Sequence, residues 1–227
     1  MVKNYYIRRA DQIDDPETSD LVQDFMKSVD INDYKSVKKF IFPKTVKING
    51  NEDMLEKRPY LEFLDFAVVF EILVSHEGED TVTIAVSNSL ADIWGILTPV
   101  IFKDAMRNDM ENFPAVVTAI NDMLGFAPEE DDPNNTFYVM TNSARHNGAT
   151  TIFYEGELER VYKCIGPFSI IPSSVHEVLL VPDTLKIPSE ELKGMLSEVN
   201  CSIVQDEDIL GDHIYRFDPD NGLRIAK

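Results

Sequence analysis

The stretch LDFAVVFEILVSHEGEDTVTIAVS (Leu64–Ser87) decides how the chain must be built. Its first half is rich in Val, Ile and Phe, residues that suit the pleated surface of a strand. HEGED (His76–Asp80) then supplies a Gly-containing turn, and TVTIAVS (Thr81–Ser87) reads as a second strand. Two strand signals joined by so short a turn predict a β-hairpin. NSLADIWG follows as a short helix bearing the only tryptophan, Trp94.

Upstream of the hairpin the signals are helical. Asp15 can cap a helix, Pro16 fits its first position and Glu17 suits the positive end of the dipole. Leu21, Val22, Phe25, Met26 and Val29 then mark one apolar face. NDYKSVKKFIF reads as a second helix, capped by Asn32 or Asp33 and stopped by Pro43. Downstream, Thr98 and Pro99 open a helix that runs to about Asn112. Pro114 opens another through PAVVTAINDML, closed by Gly125. APEEDDPNN is the strongest loop signal in the chain.

TFYVMTN then reads as a strand, and Asn147-Gly148 is a pair that hairpin loops use, with ATTIFY as the returning strand. EGELERVYKCIG predicts a helix, FSII and VHEVLLV two more strands, and Ser189 a helix cap ahead of Leu192, Met195, Leu196 and Val199. HIYRF, DPDNG and LRI read as a last hairpin. This order lacks regular βαβ alternation. The class expected is α+β, a mostly antiparallel sheet with β-hairpins and several flanking helices. Residues 1–227 read as a single α+β domain, divisible into 1–130 (helical plus hairpin) and 131–227 (sheet plus helices).

The bulk composition is that of an ordinary globular chain: 227 residues, 44% hydrophobic and 27% charged. The balance of charge is unusual. Lys+Arg number 21 against 40 Asp+Glu, a formal net charge of −19. Such a surface repels phosphate backbones, so direct nucleic-acid binding is not expected, and neither is docking on anionic membranes. A basic protein partner suits it. Cys164 and Cys201 form no Cys-x-x-Cys, and the N-terminus lacks an apolar signal region, so free thiols in a cytoplasmic protein are expected. The most apolar long window, Leu64–Ser75, contains Asp65 and Glu71 and is too short to span a bilayer.

TFYVMTNSARHNGATTIFY, IIPSSVHEVLLVPD and ELKGMLSEVNCSIVQDEDILGDHIYRFDPDNG occur in this order and at spacings that resemble a bacterial family frequent in gut Gram-positive anaerobes. LDFAVVFEILVS and LADIWGI match the family's middle hairpin and its Trp-containing segment. The resemblance runs from about Asn4 to the end. It implies the α+β fold, and it brings no activity, substrate or catalytic residue, because the family's domain has no assigned function.

Two segments carry candidate sites. IPSSVHEVLLVPD (Ile171–Asp183) gathers Ser173, Ser174, His176 and Glu177. On a strand over 174–181, Ser174 and His176 share one face and Glu177 takes the other. Glu177 then cannot orient His176 as the carboxylate of a triad does. Neither Ser173 nor Ser174 has the glycines two residues before and after it that a G-x-S-x-G elbow needs, since Pro172 and Val175 among others stand there, and HEVLL is not H-E-x-x-H. Ser173, Ser174 and His176 are therefore catalytic candidates only if another segment completes them. The second segment, TNSARHNGA, places Thr141, Asn142, Ser143, Arg145, His146 and Asn147 at a hairpin tip. Thr141, Asn142, Arg145 and Asn147 there are ligand-binding candidates, able to hold an anionic group, or simply a solvated turn. If strands 136–142 and 175–181 are neighbours, Asn142, Ser174 and His176 line one polar pocket.

No metal site is expected. His76, His146, His176 and His213 are scattered, Gly222 falls at the fifth place of DPDNG, and QDEDILGD reads as a solvated acidic loop. No cofactor is expected either, since neither a Walker A nor a G-x-G-x-x-G loop occurs. The function expected is protein interaction or small-ligand recognition without catalysis. The alternatives are a hydrolase or transferase using Ser174 and His176, and an acidic nucleic-acid mimic. The sequence leaves the oligomeric state open.

Overall fold

A computed structural model describes residues 7–9, 16–77, 80–124, 136–202 and 206–226. Asp15, Gly78, Gly125 and the APEEDDPNN loop lie outside them. The chain divides into two compact units. One comprises 1–44, 48–63 and 67–112; the other comprises 45–47, 64–66 and 113–227.

The first unit begins with β1 (Ile7–Arg9) and α1 (Pro16–Ser28). Phe25 and Val29 bury, while Leu21 and Met26 stay 39% and 47% exposed, so the apolar face of α1 is narrower than its spacing suggests. Asp33 caps α2 (Tyr34–Val37), its carboxylate accepting the Lys35 N–H. β2 (Ile41–Lys47) follows a 3₁₀ turn. The expected helix thus ends before Pro43, which lies inside a strand and not at a helix stop. α3 (Glu52–Leu55), β3 (Leu61–Phe63), β4 (Phe66–Glu77) and β5 (Asp80–Ala85) come next.

β4 and β5 form the antiparallel hairpin, with a bulge between Leu73 and Ser75, and β1 joins β5 in parallel. The sheet runs β1-β5-β4-β2, with β3 also on β4. Ala67–Ile72 are buried without interruption, which requires cover on both faces because successive side chains alternate. Ser87 caps α4 (Asn88–Trp94), Gly95 closes it at φ 63°, and α5 (Thr98–Asn112) matches its expected span. Trp94 Nε1 donates to the Ile31 carbonyl at 2.8 Å. Lys44, Glu71 and Asp109 are buried in this unit, and Arg58 stands 4.0 Å from Glu71.

The second unit holds β6 (Ala115–Ala119), α6 (Ile120–Leu124), β7 (Tyr138–Asn142), α7 (Glu157–Ile165), β8 (Phe168–Ser174), β9 (Glu177–Pro182), α8 (Ser189–Ser202), β10 (Tyr215–Asp218) and β11 (Gly222–Ile225). Two expectations are corrected here. Ala115–Ala119 is a strand paired residue by residue with β7, not the start of a helix. The β-branched run Val116–Thr118 prefers that pleat. Gly148–Phe153 is a 3₁₀ helix, so Asn147-Gly148 does not turn a hairpin.

The six strands, in the order β11-β10-β8-β9-β7-β6, pair antiparallel throughout. Leu158, Val161 and Ile165 of α7 pack against Met140, Ile170, Val178 and Leu180. Leu192 and Leu196 of α8 pack with Ile171 and Val181. Ile170 and Ile171 are adjacent and must point to opposite faces, so the two helices cover the two sides of the sheet. No helix among the described residues is long and apolar enough to cross a membrane.

Candidate functional site

The site forms where β7 ends and β9 begins. β7 and β9 are neighbours, with Tyr138 opposite Leu180 and Met140 opposite Val178. Continued two residues, that register sets Asn142 opposite His176. β8 reaches the same end through a register shift between Ile171 and Ser174, where Pro172, lacking an N–H, fits an irregular ladder.

His176 does not lie on the strand. Ser174 ends β8, Val175 and His176 make the turn, and Glu177 opens β9 opposite Ser174. Ser174 and His176 therefore do not alternate along one strand face; a local turn joins them. Ser174 Oγ accepts the His176 backbone N–H at 3.1 Å, and Ser173 Oγ donates to the Glu177 carbonyl at 3.0 Å.

The facing loop is tied to this turn. Thr141 Oγ1 donates to the His176 carbonyl at 2.7 Å. Asn142, 1% exposed, closes its own loop: Nδ2 donates to the His146 carbonyl at 2.9 Å, and Oδ1 accepts the His146 N–H at 3.2 Å. Asn147 N–H donates to His176 Nδ1 at 3.1 Å. Nδ1 is therefore an acceptor, and in the neutral ring the proton sits on Nε2. Nε2 faces Asp208 Oδ1 at 3.7 Å. The rings of His146 and His176 lie 5.7 Å apart. Arg145 and Asn147 adopt φ 54° and 52°, left-handed conformations that cost a side-chain-bearing residue energy and are held here by the surrounding bonds.

Gly148 is dictated by closeness, not by φ. A Cβ there would lie 2.1 Å from Thr141 Oγ1, 2.5 Å from the His176 carbonyl oxygen and 2.7 Å from the Asn142 nitrogen. The cluster is thus a buried polar knot, with Ser143 and Arg145 exposed at its rim. Burial raises the Glu177 carboxyl above its usual range, opposed by the charges of His176 and Arg145.

Every candidate is accounted for: Thr141, Asn142, Asn147, Ser174 and His176 meet, Ser173 binds the adjacent turn, and Arg145 stands at the rim. Sequence reasoning passed over Asp208, which sits in an acidic run that reads as solvated, and Gly148, whose need is set by Thr141 and His176 across the sheet. No group of three or more His, Cys, Asp or Glu side chains among the described residues is arranged to hold a metal. Cys164 and Cys201 are exposed free thiols.

The chain is thus an α+β protein of two compact units, one ending in a polar knot between sheet turns. Residues 10–219 match the family of unknown function DUF5688, and the chain belongs to that family. No curated protein matches it, and no solved structure does.

Proposed function

We propose that the protein is a recognition module for a basic protein partner, and that the 141–147 and 174–177 turns form its contact surface. One observation carries the reading: the atoms that a Ser–His nucleophile needs are committed elsewhere. His176 Nδ1 accepts the Asn147 N–H, so in the neutral ring Nε2 carries the proton, and Nε2 faces Asp208. A histidine that activates a hydroxyl needs a ring nitrogen with an open lone pair, and His176 offers none. Knotted turns of this kind hold a rim in one geometry, and rigid presentation lowers the ordering cost of binding. The net charge of −19 draws a basic partner and speeds encounter.

The test is an amide NMR titration with Lys/Arg-rich peptides. Shifts concentrated at Ser143, Arg145 and Glu177, weakening as salt rises, are expected. Shifts spread evenly over the acidic surface, or none, would overturn the reading. Labelling of Ser174 by a serine-directed phosphonate, lost in His176→Ala, would replace it with the hydrolase reading.

A further inference from the structure

The second unit contains another histidine arranged in a different way. Asp65 Oδ1 accepts the Tyr215 hydroxyl at 2.6 Å, and Asp65 Oδ2 lies 2.8 Å from His213 Nδ1. Tyr215 is 1% exposed, and its ring packs against Phe66 with centroids 4.7 Å apart. Burial, then the bond to Asp65, raises the phenol above its usual range, so it remains a donor. The phenol thereby fixes one carboxylate oxygen and leaves the other facing the imidazole.

The backbone on both sides is held. Leu64 precedes Asp65 at φ 60°, a conformation rare for a leucine and costly to keep. Across from it, Asn200 Nδ2 donates to the Gly211 carbonyl at 3.0 Å. A Cβ at Gly211 would meet Pro172 at 3.2 Å, the Tyr215 hydroxyl at 3.3 Å and Phe66 at 3.4 Å.

An ionised carboxylate can only accept, so Nδ1 of His213 carries the proton and Nε2 keeps its lone pair in the neutral ring. The His213 side chain is 55% exposed, and its only bonding partner among the described residues is Asp65. A carboxylate behind one ring nitrogen and an open lone pair on the other is the arrangement that makes imidazole a base or nucleophile.

We propose that His213, aligned by Asp65 and Tyr215, is a nucleophilic imidazole that accepts acyl groups at Nε2 from neutral esters or anhydrides. Asp65 and Asp212 flank it on a chain of net charge −19, which disfavours phosphorylated and other anionic donors. In the step, the Nε2 lone pair forms a bond to the acyl carbon and the bond to the leaving oxygen breaks. The proton released from Nδ1 passes through Asp65 and solvent to the leaving group. Water then hydrolyses the neutral acyl-imidazole, releasing acid and restoring the ring. Asp65 and Tyr215 are positioning residues. The proposal does not depend on the recognition reading.

The test uses the full chain near neutral pH with diethyl pyrocarbonate, a neutral acyl donor, and follows each histidine by peptide mass spectrometry. His213 is expected to react several-fold faster than free N-acetylhistidine. In Asp65→Asn the amide can turn its N–H toward Nδ1 and leave the proton on Nε2, which slows His213 by about tenfold or more. With p-nitrophenyl acetate, nitrophenolate release is expected to fall toward the spontaneous rate in His213→Gln. A His213 no faster than N-acetylhistidine, an unchanged rate in a folded Asp65→Asn, or undiminished release by His213→Gln would each overturn the proposal. Should Asp65→Asn lose its circular dichroism, the comparison with N-acetylhistidine and the His213→Gln variant decide without it.

Discussion

His176 and His213 sit in the same unit and are built oppositely. His176 is 8% exposed, and three hydrogen bonds secure it: its N–H donates to Ser174 Oγ, its carbonyl accepts from Thr141 Oγ1, and its Nδ1 accepts the Asn147 N–H. His213 is more than half exposed and held through one side chain, Asp65. A backbone donor on Nδ1 forces the proton to Nε2. A carboxylate on Nδ1 forces the reverse. The first environment spends the ring on architecture; the second leaves a lone pair open. Residue type says little about chemistry until the partner of each ring nitrogen is known.

Substitution at Gly148 tests the rigidity of the first environment most severely. Gly148→Ala sets a methyl against Thr141, the His176 carbonyl and the Asn142 nitrogen, and backbone atoms cannot swing aside. Urea unfolding is expected to show a loss of about 3 kcal/mol or more. A loss below about 1 kcal/mol would mean that the knot yields easily and that the contrast between the two histidines is weaker than drawn.

Asn142→Ala ranks next. It removes both bonds to His146 and leaves part-buried backbone groups unmet. A cost of about 2 kcal/mol is expected, read from the same denaturant midpoint. Retained stability would show that solvent or the backbone replaces the amide without strain.

Tyr215→Phe probes the second environment and is smaller, about 1 kcal/mol at neutral pH. It carries a pH signature. The folded phenol titrates above its unfolded value, so its stabilising contribution is complete below the unfolded value and is lost as pH rises through the folded one. The difference between wild type and Tyr215→Phe is therefore expected to hold steady at neutral pH and shrink only in strong alkali. A difference that shrinks on passing from pH 6 to pH 8 would contradict this assignment.

Glu177→Gln is expected to have the smallest effect, and a stabilising one. The Glu177 carboxyl is raised in the fold by burial, so its folded form favours the proton. Stability tied to it is present in acid and falls as pH rises through the raised value. The glutamine variant should gain slightly over wild type at neutral pH, with the gain disappearing in acid. A destabilised variant at neutral pH would mean that the ionised carboxylate is an anchor of the knot.

Much of the fold was legible, and the reasons differ by segment. The β4–β5 hairpin and α5 declare themselves through local signals: β-branched runs around a turn, and Thr98-Pro99 opening a helical spacing. Residues 115–119 misled because Pro114, Val116, Val117 and Ile120 fit a helical face as well as a strand. The partner that decides between them, β7, lies some two dozen residues on. ATTIFY misled because its Thr, Ile and Phe favour strands, whereas the left-handed Asn147 and the packing under Gly148 turn the chain into a 3₁₀ helix. The meeting of Asn142 with His176 followed from a strand adjacency that the sequence posed as a condition. The turn between Ser174 and Glu177 was hidden by an apparently continuous strand. The Asp65–Tyr215 pair spans 150 positions, and no local pattern announces it.

The most direct measurement is a long-range proton–nitrogen NMR spectrum of the imidazole rings, taken above the pH at which they titrate. His176 is expected as the Nε2–H tautomer and His213 as the Nδ1–H tautomer, with Asp65→Asn shifting only His213. Both rings in the same tautomer would contradict the account.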